Sequence, residues 1–385
     1  MIPFLLLFLP AFLLRFQLGS FPTNALDLLL AAAILASLPA AWRARRELFK
    51  LDAAGLGALL LLLGGTLSLF VTPDLRAAAG LWKSWLAAPI FIFFLLRAAS
   101  QEERERTLAF AGIGAAAVAL FGLGELAFNS EESWDGRLLG PFSNANEAAL
   151  LFGPLAVFLF FRARESCSFL KSWRLALAGI LLVGLILTRS YGGFLGIAAG
   201  LAGGALLLFF QKNSGRRAAA GILAALLLGG GALAISEAGS AKFRWAFSGD
   251  ERSPLAVRLE LWRVSGALLR ESPALGVGFG GFGPALRQRG EELLGRPARE
   301  VNHEHPHQLF LATWLFTGAA GLAGLLLLLG AAAREIWQRK DTALAGFFLV
   351  ILFHGLLDTS LWRNDLALLF FAGAALAARK NPSKK

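Results

Sequence analysis

The chain has 385 residues, of which 56% are hydrophobic and 16% are charged, and its formal net charge is +11 at pH 7. Its apolar stretches, such as the one that begins at Ala218, reach the roughly 20 residues that cross a bilayer as a helix, which excludes an ordinary soluble domain. They lack two-residue alternation, which excludes a membrane β-barrel. The one cysteine, Cys167, excludes an internal disulfide, and the basic excess is read as a topology signal rather than a nucleic-acid surface.

Twelve apolar segments follow one another, and each predicts a membrane-spanning helix. We expect the first to be a retained helix rather than a signal peptide, because it has neither a basic leading region nor a small-residue cleavage site. The sequence therefore predicts an all-α polytopic membrane protein that forms a single integral membrane domain, 1–385. The predicted spans are 3–17, 24–41, 54–72, 78–97, 107–127, 145–162, 173–188, 191–210, 218–236, 307–331, 343–361 and 364–379.

Lysine and arginine set the expected orientation. Outside the long connection 237–306, most of them lie in alternate connections such as WRARRELFK and RARESCSFLKSWR, and in the tail RKNPSKK. Connections rich in these residues face the cytoplasm. We therefore expect both termini in the cytoplasm and the connection 237–306, between the ninth and tenth spans, on the outer face.

Within this connection, residues 254–271 predict a helix that lies at the membrane interface. Ser253 is suited to cap it, Pro254 suits its first turn, and Pro273 follows its end. Leucines and Trp262 share one stripe with arginines, and the segment is too short and too charged to span.

Five cations are predicted on the outer side. A cation at membrane depth is costly unless it is paired or lines a wet cavity, so a group of them suits a phosphate-bearing ligand. For each one alone, a structural salt bridge or a snorkelling side chain is the simpler interpretation. They are Lys83, Arg137, Arg189, Arg258 and Arg263.

Two other stretches invite a structural and a functional interpretation. GPFSNANEA predicts a helix start capped by Asn144, with Glu147 three residues later, and the amides of Asn144 and Asn146 could also bind sugar hydroxyls. GVGFGGFG, from Gly276, fits G-x-G-x-x-G, but no strand precedes it, so a flexible turn is expected rather than a nucleotide site.

Three of the four histidines, His303, His305 and His307, lie within five residues. Alternation along an extended chain could present them to zinc. Pro306 favours a helix start instead, with His307 in the first turn of the next span, where the helix dipole favours a neutral imidazole. A neutral ring can act as a general base, so His307 is the candidate, with a structural histidine or a metal ligand as alternatives.

The stretch HQLFLATWLFTGAAG resembles the pattern of bacterial O-antigen ligases: His307, Gln308, nine residues and then Gly318-x-x-Gly321. Four further stretches resemble, in order, motifs of the O-antigen ligase/polymerase superfamily of membrane glycosyltransferases: RLLGPFSNANE, LTRSYGG, RLELW and GVGFGGFG. One departure concerns the turn LTRSYGG. The family has an arginine after the serine, whereas here Arg189 precedes Ser190.

The resemblance implies a GT-C-like, inverting glycosyltransferase of the bacterial inner membrane that needs no metal or cofactor and has a periplasmic active site. The implied donor is an undecaprenyl-diphosphate-linked glycan and the implied acceptor is lipid A–core. Membrane lipids are the other expected partners, and nucleic acid is not one. His307 would be the general base, while Arg189 and Arg258 would hold the diphosphate. The expected substrate-binding residues are Arg263, Arg137, Lys83, Asn144, Asn146, Gln308 and His305.

The chemistry supports these roles independently. A diphosphate leaving group needs its growing charge stabilised, which arginines can do, and a sugar hydroxyl needs a base. An O-antigen polymerase and a protein O-oligosaccharyltransferase would use the same chemistry and stay open as alternatives. A lipid-linked glycan transporter is a fourth possibility, but broken helices and paired charges within the spans are typical of that class.

Overall fold

The structure, a computed structural model, describes residues 2–18, 21–43, 51–128, 136–165, 167–211, 213–246, 248, 250 and 253–378. Most of them are helical, and a short antiparallel hairpin, β1 Arg15–Leu18 and β2 Phe21–Asn24, joins the first two apolar segments. Short 3-10 helices cover Leu6–Leu13 and Ser68–Phe70, and a π-helical turn covers Lys83–Ala87. The α-helices are α1 Ile2–Leu5, α2 Ala25–Arg43, α3 Ala53–Leu67, α4 Leu75–Trp82, α5 Ala88–Ala98, α6 Gln101–Phe128, α7 Ala145–Ala163, α8 Ser168–Leu187, α9 Tyr191–Phe209, α10 Asn213–Ala238, α11 Ala241–Ala246, α12 Pro254–Glu271, α13 Phe282–Leu294, α14 Leu309–Arg339, α15 Thr342–His354 and α16 Asn364–Ala377.

The helices confirm the predicted all-α polytopic membrane fold. Among the described residues, eight helical segments are long and apolar enough to cross a membrane, and four shorter apolar helices accompany them. Each of the twelve predicted spans coincides with one of these segments. The span predicted at 343–361 is too long, because α15 ends at His354 and the residues after it form turns. The eight long segments are Ala53–Phe70, Leu75–Ala98, Gln101–Phe128, Ala145–Ala163, Ser168–Leu187, Tyr191–Phe209, Gly215–Ala238 and Leu309–Arg339.

Small residues allow the helices to approach closely. A Cβ atom added at Gly196 would lie 3.0 Å from the carbonyl oxygen of Val350, and one at Gly200 would lie 2.8 Å from that of Gly346. The backbones of α9 and α15 therefore touch along this interface, as expected for helices that associate in lipid. The two glycines, four residues apart on one face of α9, thus serve close helix packing.

The connections gather at two opposite ends of the bundle. We call the end that carries residues 303–307 the histidine end. There the N–H of Leu138 donates to the carbonyl of Leu187, and the N–H of Leu309 donates to that of Gly355. At the other end, where α7 finishes, buried Arg162 pairs with Asp341 at 2.8 Å. Basic connections meet at that end, although residues 44–50 and 379–385 of the predicted cytoplasmic segments lie outside the described residues.

The glycine-rich turn at residues 274–279 is anchored in the core, so the expectation of a flexible turn is wrong. The N–H groups of Val277 and Gly278 both donate to the carbonyl of Leu315, and Phe279 is fully buried. Helix α14 makes room for this turn by a kink at Gly318, whose φ of 67° is a left-handed conformation that glycine adopts without strain. Gly318, which nine residues separate from Gln308, thus lets the connection 237–306 enter the bundle.

Candidate active site

The three clustered histidines converge on the connection between α15 and α16. His307 Nδ1 lies 3.0 Å from Asp358 Oδ1, and His307 Nε2 lies 3.2 Å from His303 Nδ1. His305 Nδ1 lies 2.9 Å from the hydroxyl of Thr359, and its ring centre is 4.3 Å from that of His307. Burial lowers the pKa of His305 to about 4 and also lowers that of His303, so both rings are neutral at physiological pH.

The sequence predicts that His307 lies in the first turn of the following helix, and this prediction is wrong. Helix α14 begins at Leu309, and Gln308 is its N-cap: the Gln308 side chain accepts a hydrogen bond from the N–H of Leu311. His307 precedes the cap and has a left-handed backbone, with φ of 51°. The group that orients its ring is therefore the Asp358 carboxylate, and the helix dipole is not needed to explain its position.

Asp358 is a candidate site residue that sequence reasoning misses. It is buried, and its Oδ1 accepts hydrogen bonds both from the N–H of Thr359 at 2.8 Å and from His307. The predicted span 343–361 enclosed it without assigning it a role. The signal that could have identified it is a carboxylate inside a predicted span, because charges inside spans are usually functional.

Helix α12 holds the histidine segment from outside the bundle. Its Trp262 indole donates to the carbonyl of Pro306 at 3.0 Å. Its buried Glu260 accepts from Arg296 at 2.5 Å, from the Arg299 side chain at 2.9 Å and from the Arg299 N–H at 2.7 Å. One helix thereby fixes both ends of the stretch that carries the three histidines.

Arg258 extends from the same helix toward Asp358. Its Nε donates to the carbonyl of Leu357 at 3.0 Å and its Nη1 to the carbonyl of Pro254 at 3.3 Å. Burial lowers the pKa of Arg258 while the Asp358 charge acts in the opposite direction, and an arginine keeps its charge under either influence. No hydrogen bond joins Nη2 to a described residue, so this edge of the guanidinium is available to a ligand.

The turn between α8 and α9 brings more positive charge to the histidine end. Arg189 is exposed, has φ of 47°, and its guanidinium forms no hydrogen bond or ion pair within the described chain. Its carbonyl accepts from the ammonium of Lys242. A Cβ added at Gly192, three residues on, would lie 2.9 Å from Nε2 of His354, which is four residues before Asp358. The turn is thus a near neighbour of the histidine cluster.

Arg137 and Asn146 join each other beside this turn. The Arg137 Nη2 donates to Asn146 Oδ1 at 3.0 Å, and its Nε donates to the carbonyl of Thr188 at 2.6 Å. Asn146 is therefore engaged in holding Arg137 against the turn, rather than presenting its amide oxygen to a sugar.

The other predicted binding residues have structural partners or lie elsewhere. The Lys83 ammonium pairs with Asp27 at 2.8 Å, which matches the salt-bridge interpretation. Asn144 caps α7 through the N–H of Glu147, as the sequence predicts, and Gln308 caps α14. Arg263 is exposed and lies about 140° around α12 from Arg258, so it faces away from the cluster.

One group of side chains has the spacing of a metal site. His305, His307 and Asp358 offer ligand atoms that lie within 4.8 Å of one another. This set differs from the three histidines considered on sequence alone. An ion bound there would have to replace the hydrogen bonds that His307 makes with Asp358 and that His305 makes with Thr359. The competition between these hydrogen bonds and an ion can be tested with a chelator.

Comparison with known proteins agrees with the motif-based resemblance. Residues 176–326 match the family model described as O-antigen ligase. A search of curated proteins finds no match to the chain. The matched segment contains Arg189, Arg258 and the histidine cluster, together with the anchored turn and the Gly318 kink, whereas Asp358 lies beyond it. Residues 176–326 are therefore similar to the O-antigen ligase family, within a chain that has the fold of an all-α polytopic membrane protein.

Proposed function

We propose that the protein transfers a glycan from an undecaprenyl-diphosphate donor to a hydroxyl group of lipid A–core, on the periplasmic face of the bacterial inner membrane. The family supports a glycosyltransferase-like enzyme that acts on lipid-linked glycans. The observation that carries the finer proposal is the contact between His307 Nδ1 and Asp358 Oδ1 at 3.0 Å, with Arg258 beside it.

His307 serves as the base in this proposal. A carboxylate only accepts hydrogen bonds, so His307 Nδ1 carries the proton and Nε2 keeps its lone pair. A sugar hydroxyl is a poor nucleophile, and a base that removes its proton during attack accelerates the reaction. The imidazolium formed at His307 is then stabilised by Asp358, in the manner of other carboxylate–histidine pairs.

Arginines stabilise the leaving group. Arg258 is half-buried beside the proposed base, and its Nη2 has no hydrogen-bond partner among the described residues. The guanidinium of Arg189, at the neighbouring turn, likewise has no partner among them. Both can make charge-assisted hydrogen bonds to the diphosphate as its negative charge grows. This would allow the reaction to proceed without a metal. Attack of the hydroxyl from the side opposite the diphosphate inverts the anomeric centre.

A polymerase that extends a lipid-linked repeat unit, or a protein O-oligosaccharyltransferase, would use the same donor half of the site. The three activities differ only in the acceptor. We favour the ligase because the histidine segment follows the ligase pattern. A transporter is less well supported, since the glycine-rich turn packs against the kink of α14 and bonds to its backbone.

Transfer of a labelled glycan in detergent tests the proposal directly, because transport cannot register there. Purified protein is given the labelled undecaprenyl-diphosphate donor with lipid A–core, with an unlabelled lipid-linked repeat unit, or with an acceptor protein. The ligase proposal predicts label on lipid A–core. Label on the repeat unit or on protein instead would replace it by one of the alternatives, and no transfer to any acceptor would reject all three.

Replacing the base should affect turnover and spare binding. His307→Ala should lower the turnover of this reaction by roughly 10²–10⁴-fold, the usual contribution of one positioned proton acceptor. Donor affinity should barely change, because arginines hold the diphosphate. Thermal unfolding of the purified variant serves as the control for folding. A well-folded His307→Ala protein that transfers glycan at a near-normal rate would contradict the assignment.

Arg258→Ala should weaken donor binding as well as turnover, since the guanidinium contacts the donor before and during the reaction. Arg270→Ala is the matched control, because Arg270 is an exposed arginine near the other end of α12. Donor affinity and turnover are measured for both variants. Equal effects of the two substitutions would mean that Arg258 acts through the general charge of the loop rather than at the site.

Chelation separates the arginine-based mechanism from a metal site at His305, His307 and Asp358. Transfer should persist after the purified protein is treated with EDTA and the chelator is removed, because arginine charge stabilises the leaving group. Metal content is measured on the same samples. Loss of transfer that returns only with added Zn²⁺, Mg²⁺ or Mn²⁺ would reject metal independence and support the metal site.

A further inference from the structure

His303 lies between the proposed base and solvent. Its Nδ1 is 3.2 Å from His307 Nε2, and the two rings are nearly perpendicular, at 84°. The single lone pair of His307 Nε2 is therefore already engaged by His303. An acceptor hydroxyl cannot bond to the same lone pair unless His303 moves away.

The proton positions along this chain of groups follow from Asp358. Its Oδ1 accepts a hydrogen bond from the N–H of Thr359, and an ionised carboxylate has no proton to donate to His307. His307 Nδ1 must therefore be the donor in the contact with Asp358, so the proton of the neutral ring lies on Nδ1. The neutral His307 ring then has a lone pair on Nε2, and His303 must donate to it from Nδ1. The neutral His303 ring is left with its own lone pair on Nε2.

That last nitrogen is accessible. His303 is half-buried, and its Nε2 forms no hydrogen bond with the described residues. Solvent reaches this nitrogen, whereas Nδ1 of His354 is buried and has no hydrogen-bond partner. Of the ring nitrogens of His303 and His307, it is the one that has a free lone pair and an open side.

We propose that His303 and His307 form a two-histidine proton relay, in which His303 Nε2 accepts the proton of the acceptor hydroxyl. This inference rests on the proposed function and deepens it. As the hydroxyl oxygen bonds to the anomeric carbon and the diphosphate leaves, its proton moves to His303 Nε2. The His303 Nδ1 proton moves to His307 Nε2, which places the positive charge on His307.

The neighbouring charges favour this distribution. His307 lies 3.0 Å from the Asp358 carboxylate, and His303 makes no such contact with a carboxylate among the described residues. The charges of His307 and Arg258 act against a positive charge on His303, while those of Glu300 and Asp358 favour it. The positive charge is therefore most stable beside Asp358. The relay resets when His303 Nε2 releases its proton to water and His307 returns its Nε2 proton to His303 Nδ1.

Three variants distinguish the relay from direct base catalysis by His307. His303→Ala should lower turnover about as much as His307→Ala does, by roughly 10²-fold or more, with donor affinity unchanged. His303→Gln should also stay slow, because an amide can hydrogen-bond to His307 but cannot pass the proton on. Asn302→Ala, at the exposed residue beside His303, is the control and should retain wild-type turnover. Added imidazole should restore part of the turnover of His303→Ala and none of that of His307→Ala.

A measurement without turnover complements these variants. Histidine-selective ¹⁵N NMR of the detergent-solubilised protein should show a scalar coupling between His303 Nδ1 and His307 Nε2, transmitted through their hydrogen bond. Turnover of His303→Ala within about threefold of the wild type, while His307→Ala is inactive, would overturn the relay. Absence of the coupling would also overturn it, and that result is independent of glycan transfer. Failure of the wild-type protein to transfer glycan would instead reject the proposed function.

Discussion

A buried carboxylate requires a partner, and the site is arranged around that requirement at Asp358. Removing a charge from water costs several kcal/mol unless hydrogen bonds replace the lost hydration. Asp358 obtains them from the N–H of Thr359 and from His307. Because this carboxylate only accepts, its presence fixes which nitrogen of His307 carries the proton. It also fastens the connection after α15 to the segment that precedes α14.

The remaining architecture keeps those two segments in register. Helix α12 fixes the histidine segment through Trp262 and Glu260, and it places Arg258 on the carbonyl of the residue before Asp358. Inside the bundle, the kink at Gly318 admits the turn at residues 274–279 that follows α12. The proposed base His307, Arg258 and the helix that carries Arg258 are therefore held by one set of contacts at the histidine end.

Hydropathy predicts the helices well, because burial of apolar segments in lipid depends on composition and length alone. Local signals also predict the cap at Asn144 and the helix that follows Ser253. The contact between His307 and Asp358 joins residues that are 51 apart in the chain, and no local pattern specifies it. The left-handed backbones of Arg189 and His307 are equally invisible, since residues other than glycine rarely adopt them. For this reason the sequence places His307 inside a helix that it actually precedes.

The position of helix α12 at the membrane surface and the orientation of the chain stay predictions. The same holds for the single membrane domain 1–385 with the connection 237–306 as its periplasmic loop. The exposed side of helix α12 carries Leu255 and Leu259 as well as Arg263, a combination suited to a lipid surface. Its opposite face is buried against the protein, so the helix has the two distinct sides that an interfacial position requires.

The central claim is that Asp358 orients His307 and stabilises the charge that forms there. Asp358→Asn keeps the shape of the side chain and removes its charge, so steady-state kinetics of this variant are the most direct test. The account predicts a fall in turnover of roughly 10²–10⁴-fold with an unchanged KM for the donor and an unchanged unfolding temperature. Near-normal turnover in a folded Asp358→Asn protein would contradict it.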